Sequence, residues 1–393
     1  MLTISTFNFA QDSKSLLNKL APDLNFEKII NYEKPGVSSA DLKPKILIID
    51  FWATWCAPCI ASFPHLEKIQ NKYKDKLQII TVTDETEERI KGFLSKRKMS
   101  LPVAFDIDGK LAAAFPHRAL PHTVVIDGQN IVRAVTVSSA ITDEVVDKII
   151  AGQTLALEEK KENLNFDISK PLSGKSNFIY QATITPYQEG YPEGLTVNYA
   201  ANAANVYANR RILAVNAGLK TLYETAYQFP TGIRTIIEAK DKAAFEWSKK
   251  SAYCYELIVP EEIGDQRFLT MRQQLAQMFP YKAIVERRET SVKILRKIKG
   301  ATLSLKPGSG KSSSALSSQG LTMINTPFSR VSAFLQTAMK ITVIDETGIT
   351  GTYDVEIPYF NEDPNRIYEE LKKIGLELVD DKRSMETLVI HDK

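Results

Sequence analysis

An α/β domain followed by an α+β domain is the organisation predicted here, on three observations. Strand and helix patterns alternate over residues 45–151. A Cys-x-x-Cys pair, Cys56-Ala57-Pro58-Cys59, follows directly on the apolar run Ile46–Ala53, where a strand hands over to a helix. A mixed-charge and then Pro/Gly/Ser-rich stretch separates this half from a second set of strand and helix patterns.

The elements follow in order. Ile46-Leu47-Ile48-Ile49 is continuously apolar, as a strand covered on both faces should be. The helix after it carries Ile60, Phe63, Leu66, Ile69 and Tyr73 as a stripe, and Pro64 inside it removes a backbone donor and predicts a kink. Leu77–Thr83 reads as a second buried strand, and Asp84 with Glu87 as a capping box for a helix burying Ile90, Phe93 and Leu94. Val103–Phe105 is a short third strand. His122–Ile126 and Ile131–Val137 flank Asp127-Gly128-Gln129-Asn130, a hairpin signal, and Thr142 starts a last helix burying Val145, Val146, Ile149 and Ile150.

The cysteine pair suits a disulfide that opens and closes. A thiolate at a helix N-terminus is favoured by the unpaired N–H groups and the positive end of the dipole, which makes Cys56 the attacking sulfur. Cys59, one turn further in, resolves the mixed disulfide. Cys56 is expected to face solvent with Cys59 shielded behind it. A zinc site would need a second pair of ligands, but the only other cysteine is Cys254 and the four histidines show no ligand spacing, so no metal is expected. Asp50 lies six residues before Cys56 between Ile49 and Phe51, a setting that should raise its pKa by desolvation. The alternative is an inert aspartate at a frayed strand end.

The segment Ile49-Asp50-Phe51-Trp52-Ala53-Thr54-Trp55-Cys56-Ala57-Pro58-Cys59 resembles the thioredoxin active site, and the TlpA/ResA-like thiol–disulfide oxidoreductases in particular. Ala21-Pro22-Asp23-Leu24 and the Leu120-Pro121 step extend the likeness over residues 20–152. The resemblance implies a thioredoxin fold, a central mixed sheet flanked by helices. It implies that Asp50 accepts the Cys59 proton, that Pro121 is cis, and that Trp55, Ala57, Pro58, Leu120 and Pro121 form the substrate-facing site. The lysine that many thioredoxins place beside the acid is replaced by Thr81, and the threonine often found after the proline is His122, read as a strand-edge imidazole facing solvent. The resemblance further implies reduction of client protein disulfides, electrons from a transmembrane thiol relay, and a periplasmic address, with a reduced cytosolic home left open. There is no flavin or nicotinamide fingerprint, so no cofactor is expected. A peroxidase would carry Pro and Thr/Ser where Ile49 and Ala53 stand.

At 393 residues the chain needs at least two domains. Fifty Lys+Arg against 47 Asp+Glu, with no basic stripe among aromatics, argues against nucleic acid. No run of apolar residues is long enough for a transmembrane helix. Residues 1–19 have no basic start but resemble the end of a signal peptide, with Ala10-Gln11 as a processing site.

Residues 153–177 read as the linker and 178–393 as the second domain. Within it two repeated units are expected, at about 207–298 and 316–393. Ile212–Asn216 and Leu321–Asn325 each precede a helix. Tyr255–Pro260 is echoed by Tyr353–Pro358. Each copy ends in two short strands, Ala283–Glu286 with Val292–Leu295 and Glu377–Val379 with Thr387–Ile390. The region resembles an uncharacterised bacterial domain fused to TlpA-like thioredoxins, through Asp345–Asp354 and Leu388-Val389-Ile390-His391. The other reading of the chain is therefore a docking protein whose C-terminal domain recognises a partner, with the thioredoxin unit as a redox-gated accessory. Gly308-Ser309-Gly310-Lys311-Ser312 lacks the first glycine of a P-loop, Asp106-Ile107-Asp108-Gly109 lacks calcium ligands at Ala112 and Ala114, and Cys254 reads as an inert buried thiol.

Overall fold

The computed structural model describes residues 16–153, 155, 157–173, 178–198, 206–317, 320–359 and 363–393; the processing site at Ala10-Gln11 lies outside the described residues. The chain forms two compact units, divided between Asn165 and Phe166. The stretch read as a linker is therefore shared. Leu155 and Leu157 pack on the core of the first unit, and Leu172 on that of the second.

In the first unit β1 (Asn25–Phe26) pairs with β3 (Val37–Ser38), flanking β2 (Ile29–Ile30) in the chain. Then come β4 (Ile46–Phe51), α1 (Ala57–Lys72), β5 (Leu77–Thr83), α2 (Glu87–Lys96), β6 (Val103–Phe105), α3 (Lys110–Ala114), β7 (His122–Ile126), β8 (Val132–Thr136) and α4 (Asp143–Ile150). The six-stranded sheet runs β2-β6-β5-β4-β7-β8. β4 is parallel to β5 and antiparallel to β7. Every residue of β4 and β5 is buried, because the two faces of the sheet carry separate apolar clusters.

One local expectation changes. α1 contains Pro64 in its interior as expected, but Thr86, not Asp84, caps α2 by accepting from Arg89 N. Asp84-Glu85 instead completes the turn out of β5, which moves the helix start two residues on.

The second unit contains β9 (Gln181–Pro186), β10 (Leu195–Asn198), β11 (Arg211–Gly218), α5 (Leu219–Tyr227), β12 (Thr235–Ile237), β13 (Ala252–Ile258), α6 (Arg267–Met278) and β14 (Tyr281–Lys297). It continues with β15 (Lys306–Pro307), β16 (Ser313–Ser317), β17 (Gly320–Pro327), α7 (Ser329–Met339), β18 (Thr342–Asp345), β19 (Thr352–Pro358), α8 (Arg366–Lys373) and β20 (Leu376–Asp392). The order of elements in β9–β14 recurs in β15–β20. Two sheets have the same arrangement, β10-β11-β13-β9 and β16-β17-β19-β15. Each has a register shift around an asparagine at positive φ, Asn216 at 46° and Asn325 at 45°.

The four short strands expected near the ends of these runs are two long ones. β14 and β20 pair antiparallel over all 17 residues, from Tyr281 opposite Asp392 to Lys297 opposite Leu376. Their charged middle suggests turns in the sequence, yet it forms an exposed two-stranded ribbon in which Lys382 meets Glu289 at 3.4 Å and Arg287 donates to Ser384 O at 2.9 Å. β12 lies parallel on β20, and β18 parallel on β14, so each run lends its short strand to the other's long one.

Glu256 and Arg211 form an ion pair with neither side chain exposed. Arg211 also donates to Ile168 O and Lys170 O, and Glu256 accepts from Leu172 N, which ties the start of the unit to its sheet. The loop at Gly308-Ser309-Gly310 is exposed and followed by a strand; Ser309 donates to Asp354, and Asn325 Nδ2 to Gly310 O. It has no helix to receive a phosphate. Asp106 accepts from the N–H groups of Leu111 and Ala112, serving the helix start of α3.

Candidate active site

β4 carries the chain to the edge of the sheet, where Trp52 turns inward against Phe63 at 4.9 Å between ring centroids. Cys56 then takes the N-cap position of α1 in extended backbone, with Pro58 in the first turn, where its missing N–H costs nothing. Cys56 and Cys59 are joined as a disulfide with their Cα atoms 5.3 Å apart. The Cys59 N–H points at Cys56 Sγ at 3.3 Å. This is an unpaired donor of the first turn aimed at the sulfur, the arrangement that stabilises a thiolate there once the bond is opened.

Cys56 does not stand out to solvent as expected. In the disulfide it is 3% exposed and Cys59 0%, because both sulfurs are drawn into the apolar cluster beneath α1. The exposed rim is made by Trp55, at 54%, with Ala57 and Pro58. Leu120 packs against the same cluster, and the Leu120–Pro121 peptide is cis. β7 begins with His122 opposite Phe51, the last residue of β4, so Pro121 lies at the sheet edge from which the chain runs on to Cys56.

Asp50 is fully buried on β4 between Thr81 of β5 and Thr123 of β7. Burial pushes its carboxyl up to about 7, against the pull of the Thr123 and Ser138 hydroxyls and the Lys160 charge. The aspartate is thus no frayed strand end. Thr81 stands where the lysine was missed, and its hydroxyl donates to Pro102 O at 2.8 Å.

His122 is the clearest departure. It is 4% exposed, stacked on His117 at 4.5 Å, and Phe51 covers both rings. Burial first, then the nearby His117 and Lys160, hold its pKa down at about 2, so the imidazole is neutral. Its strand-edge position in the sequence gave no sign of His117, whose burial lowers its own pKa as well.

Sequence reasoning also missed the charged groups behind the motif. Glu85 accepts the Thr54 N–H at 2.6 Å and the Thr54 hydroxyl at 2.8 Å, while Arg89 donates to that hydroxyl at 2.7 Å. Both charged side chains are buried and pin the backbone two residues before Cys56. Nothing in the spacing of Asp84-Glu85-Thr86-Glu87 marks Glu85 as buried.

The AhpC/TSA family matches residues 17–135, and the protein of unknown function family DUF3738 matches residues 220–392. The thiol-disulfide oxidoreductase ResA of Bacillus cereus (strain ZK / E33L) is 33% identical over 148 residues, 37% of this chain and 76% of that protein. The chain belongs to the ResA-type thiol–disulfide oxidoreductases. The thioredoxin-like protein YneN of Bacillus subtilis (strain 168) is 29% identical over 133 residues, 33% of this chain and 76% of its own. A crystal structure of a thioredoxin family thiol:disulfide interchange protein from Chlorobium tepidum TLS has 25% identity and a TM-score of 0.30, covering 33% of this chain and 95% of that one. The first unit is thus the redox enzyme of the ResA type, and the second carries an uncharacterised domain. Among the described residues no helix is long and apolar enough to cross a membrane.

Proposed function

We propose that this ResA-type enzyme reduces disulfides of client proteins in the cell envelope. The observation that carries the reading is the Cys56–Cys59 disulfide at the first turn of α1, with the Cys59 N–H aimed at Cys56 Sγ. In the reduced enzyme the Cys56 thiolate attacks one sulfur of a client disulfide, and the other client sulfur leaves as a thiolate. Cys59 then gives its proton to Asp50 and attacks Cys56 Sγ. The second client thiolate leaves and takes up a proton, and the enzyme is left oxidised by the two electrons the client has gained. Trp55, Ala57, Pro58, Leu120 and Pro121 form the surface that receives the client strand. A dithiol donor must reduce the pair again, and a transmembrane thiol relay on the outer side of the inner membrane fits a periplasmic enzyme.

Reduction of insulin by the full chain, with dithiothreitol as donor, tests the reading. The wild type should accelerate it, Cys56→Ser should not, and Cys59→Ser should accumulate a mixed disulfide with insulin. Equal activity of Cys56→Ser and wild type would refute the assignment. Fractionation of the native cells tests the address; recovery with cytoplasmic markers would refute it.

A further inference from the structure

Beyond α4 the chain does not leave the redox unit at once. The Lys160 N–H donates to Val135 O at 2.8 Å, adding backbone to the outer edge of β8. From there Lys160 Nζ reaches Ala119 O at 2.5 Å, and Glu162 Oε2 accepts the Arg118 N–H at 2.5 Å. Lys160 and Glu162 also pair with each other, and their side chains are only 15% and 12% exposed. Two charged groups from this strap therefore grip the peptide run that leads into Leu120 and Pro121.

We propose that Lys160 is a positioning residue of the dithiol site, which holds the loop entering Pro121 and fixes a sheltered ammonium at Ala119 O, on the run that leads into Thr123, the hydrogen-bond donor to Asp50. This rests on Asp50 being the proton acceptor. A carboxyl in an apolar setting can take a proton from Cys59 but resists giving it up, and a cation beside the site lowers the cost of the carboxylate. The flanking strands offer Asp50 no charge: its neighbours there are Thr81 and Thr123, and Ser138 follows β8. Around Lys160 stand Glu162, its ion-pair partner, and His117 and His122, whose pKa values its charge helps to depress. The lysine thus favours the carboxylate at Asp50 and disfavours protonation of the stacked imidazoles.

Full-length Lys160→Met and Lys160→Arg test this, with Lys160→Gln in place of the first if it does not fold. The Asp50 titration is read by carboxyl ¹³C NMR on the oxidised protein, and the pH profile of insulin reduction is read separately. The Lys160 charge is the weakest of the pulls on Asp50, so its loss should raise the Asp50 midpoint by on the order of a few tenths of a pH unit. The rising limb of the rate should move with it, and Lys160→Arg should restore both. An unmoved midpoint in Lys160→Met, or an arginine variant as displaced as the methionine one, would overturn the proposal. The NMR titration needs no client, so it stands apart from the Cys56→Ser result, which tests the enzymatic reading alone.

Discussion

The Thr123 hydroxyl donates to Asp50 Oδ1 at 2.6 Å, while Asp50 Oδ2 is buried without a hydrogen-bond partner. With one oxygen fully served and the other reached by the Ser138 hydroxyl only outside good hydrogen-bond geometry, the site is a poor environment for a carboxylate and a tolerable one for a carboxylic acid.

Stability should therefore depend on pH through Asp50. Its folded pKa is raised to about 7 from an ordinary 3.8. Below about pH 4 both folded and unfolded chains hold the proton and nothing is lost. As pH rises towards 7 the unfolded chain ionises and the folded one does not, so stability falls, by on the order of 4 kcal/mol at ~1.4 kcal/mol per pH unit. Asp50→Asn should be more stable than wild type at pH 8 by a few kcal/mol, with most of the gain gone by pH 4. Urea unfolding of the oxidised proteins at both pH values checks this. Equal gains at the two would refute it.

Glu85→Ala should cost roughly 3–5 kcal/mol, because it leaves Arg89 charged and buried beside a Thr54 N–H that has lost its acceptor. The same change should slow insulin reduction, since Thr54 leads directly into Trp55-Cys56. Denaturant titration and the turnover assay read the two effects, and a change below ~1 kcal/mol would count against the pinning role.

Thiol counting should come out in steps. Cys254 is buried on β13, with its thiol donating to Asn216 Oδ1 at 3.2 Å, and burial raises its pKa. The folded, oxidised protein should present no thiol to Ellman's reagent, the folded, reduced protein two, and the denatured, reduced protein all three cysteines. A thiol titrating in the folded oxidised protein would refute this.

In the second unit, Glu256→Ala should cost roughly 3–5 kcal/mol by stranding Arg211 without its counter-ion. Replacing both residues by apolar ones of similar size should cost much less. Chemical unfolding followed by tryptophan fluorescence compares them, and equal losses would contradict the account.

These predictions divide by how visible their residues were in the sequence. The cysteine pair is legible from its place after a contiguous apolar strand, and the raised pKa of Asp50 from its apolar neighbours on that strand, whereas Pro121 is singled out by the resemblance to thioredoxins. Lys160, Glu85 and the partnership of His117 with His122 are set by contacts between segments far apart in the chain, and a lone lysine in Glu158-Glu159-Lys160-Lys161-Glu162 looks solvated. The long strands β14 and β20 were hidden for a similar reason. Their charged middles satisfy each other across the ribbon, and periodicity along one strand cannot report a partner about 100 residues away.

The crossed lending of β12 and β18 has a consequence for how the second unit persists. A cut near Gly300 that removed everything downstream would strip β14 of both its neighbours and leave β12 with none. Seventeen residues of bare backbone would then invite indiscriminate pairing with other chains. The two runs are interlaced like clasped hands, and the natural lifetime of either is that of the whole.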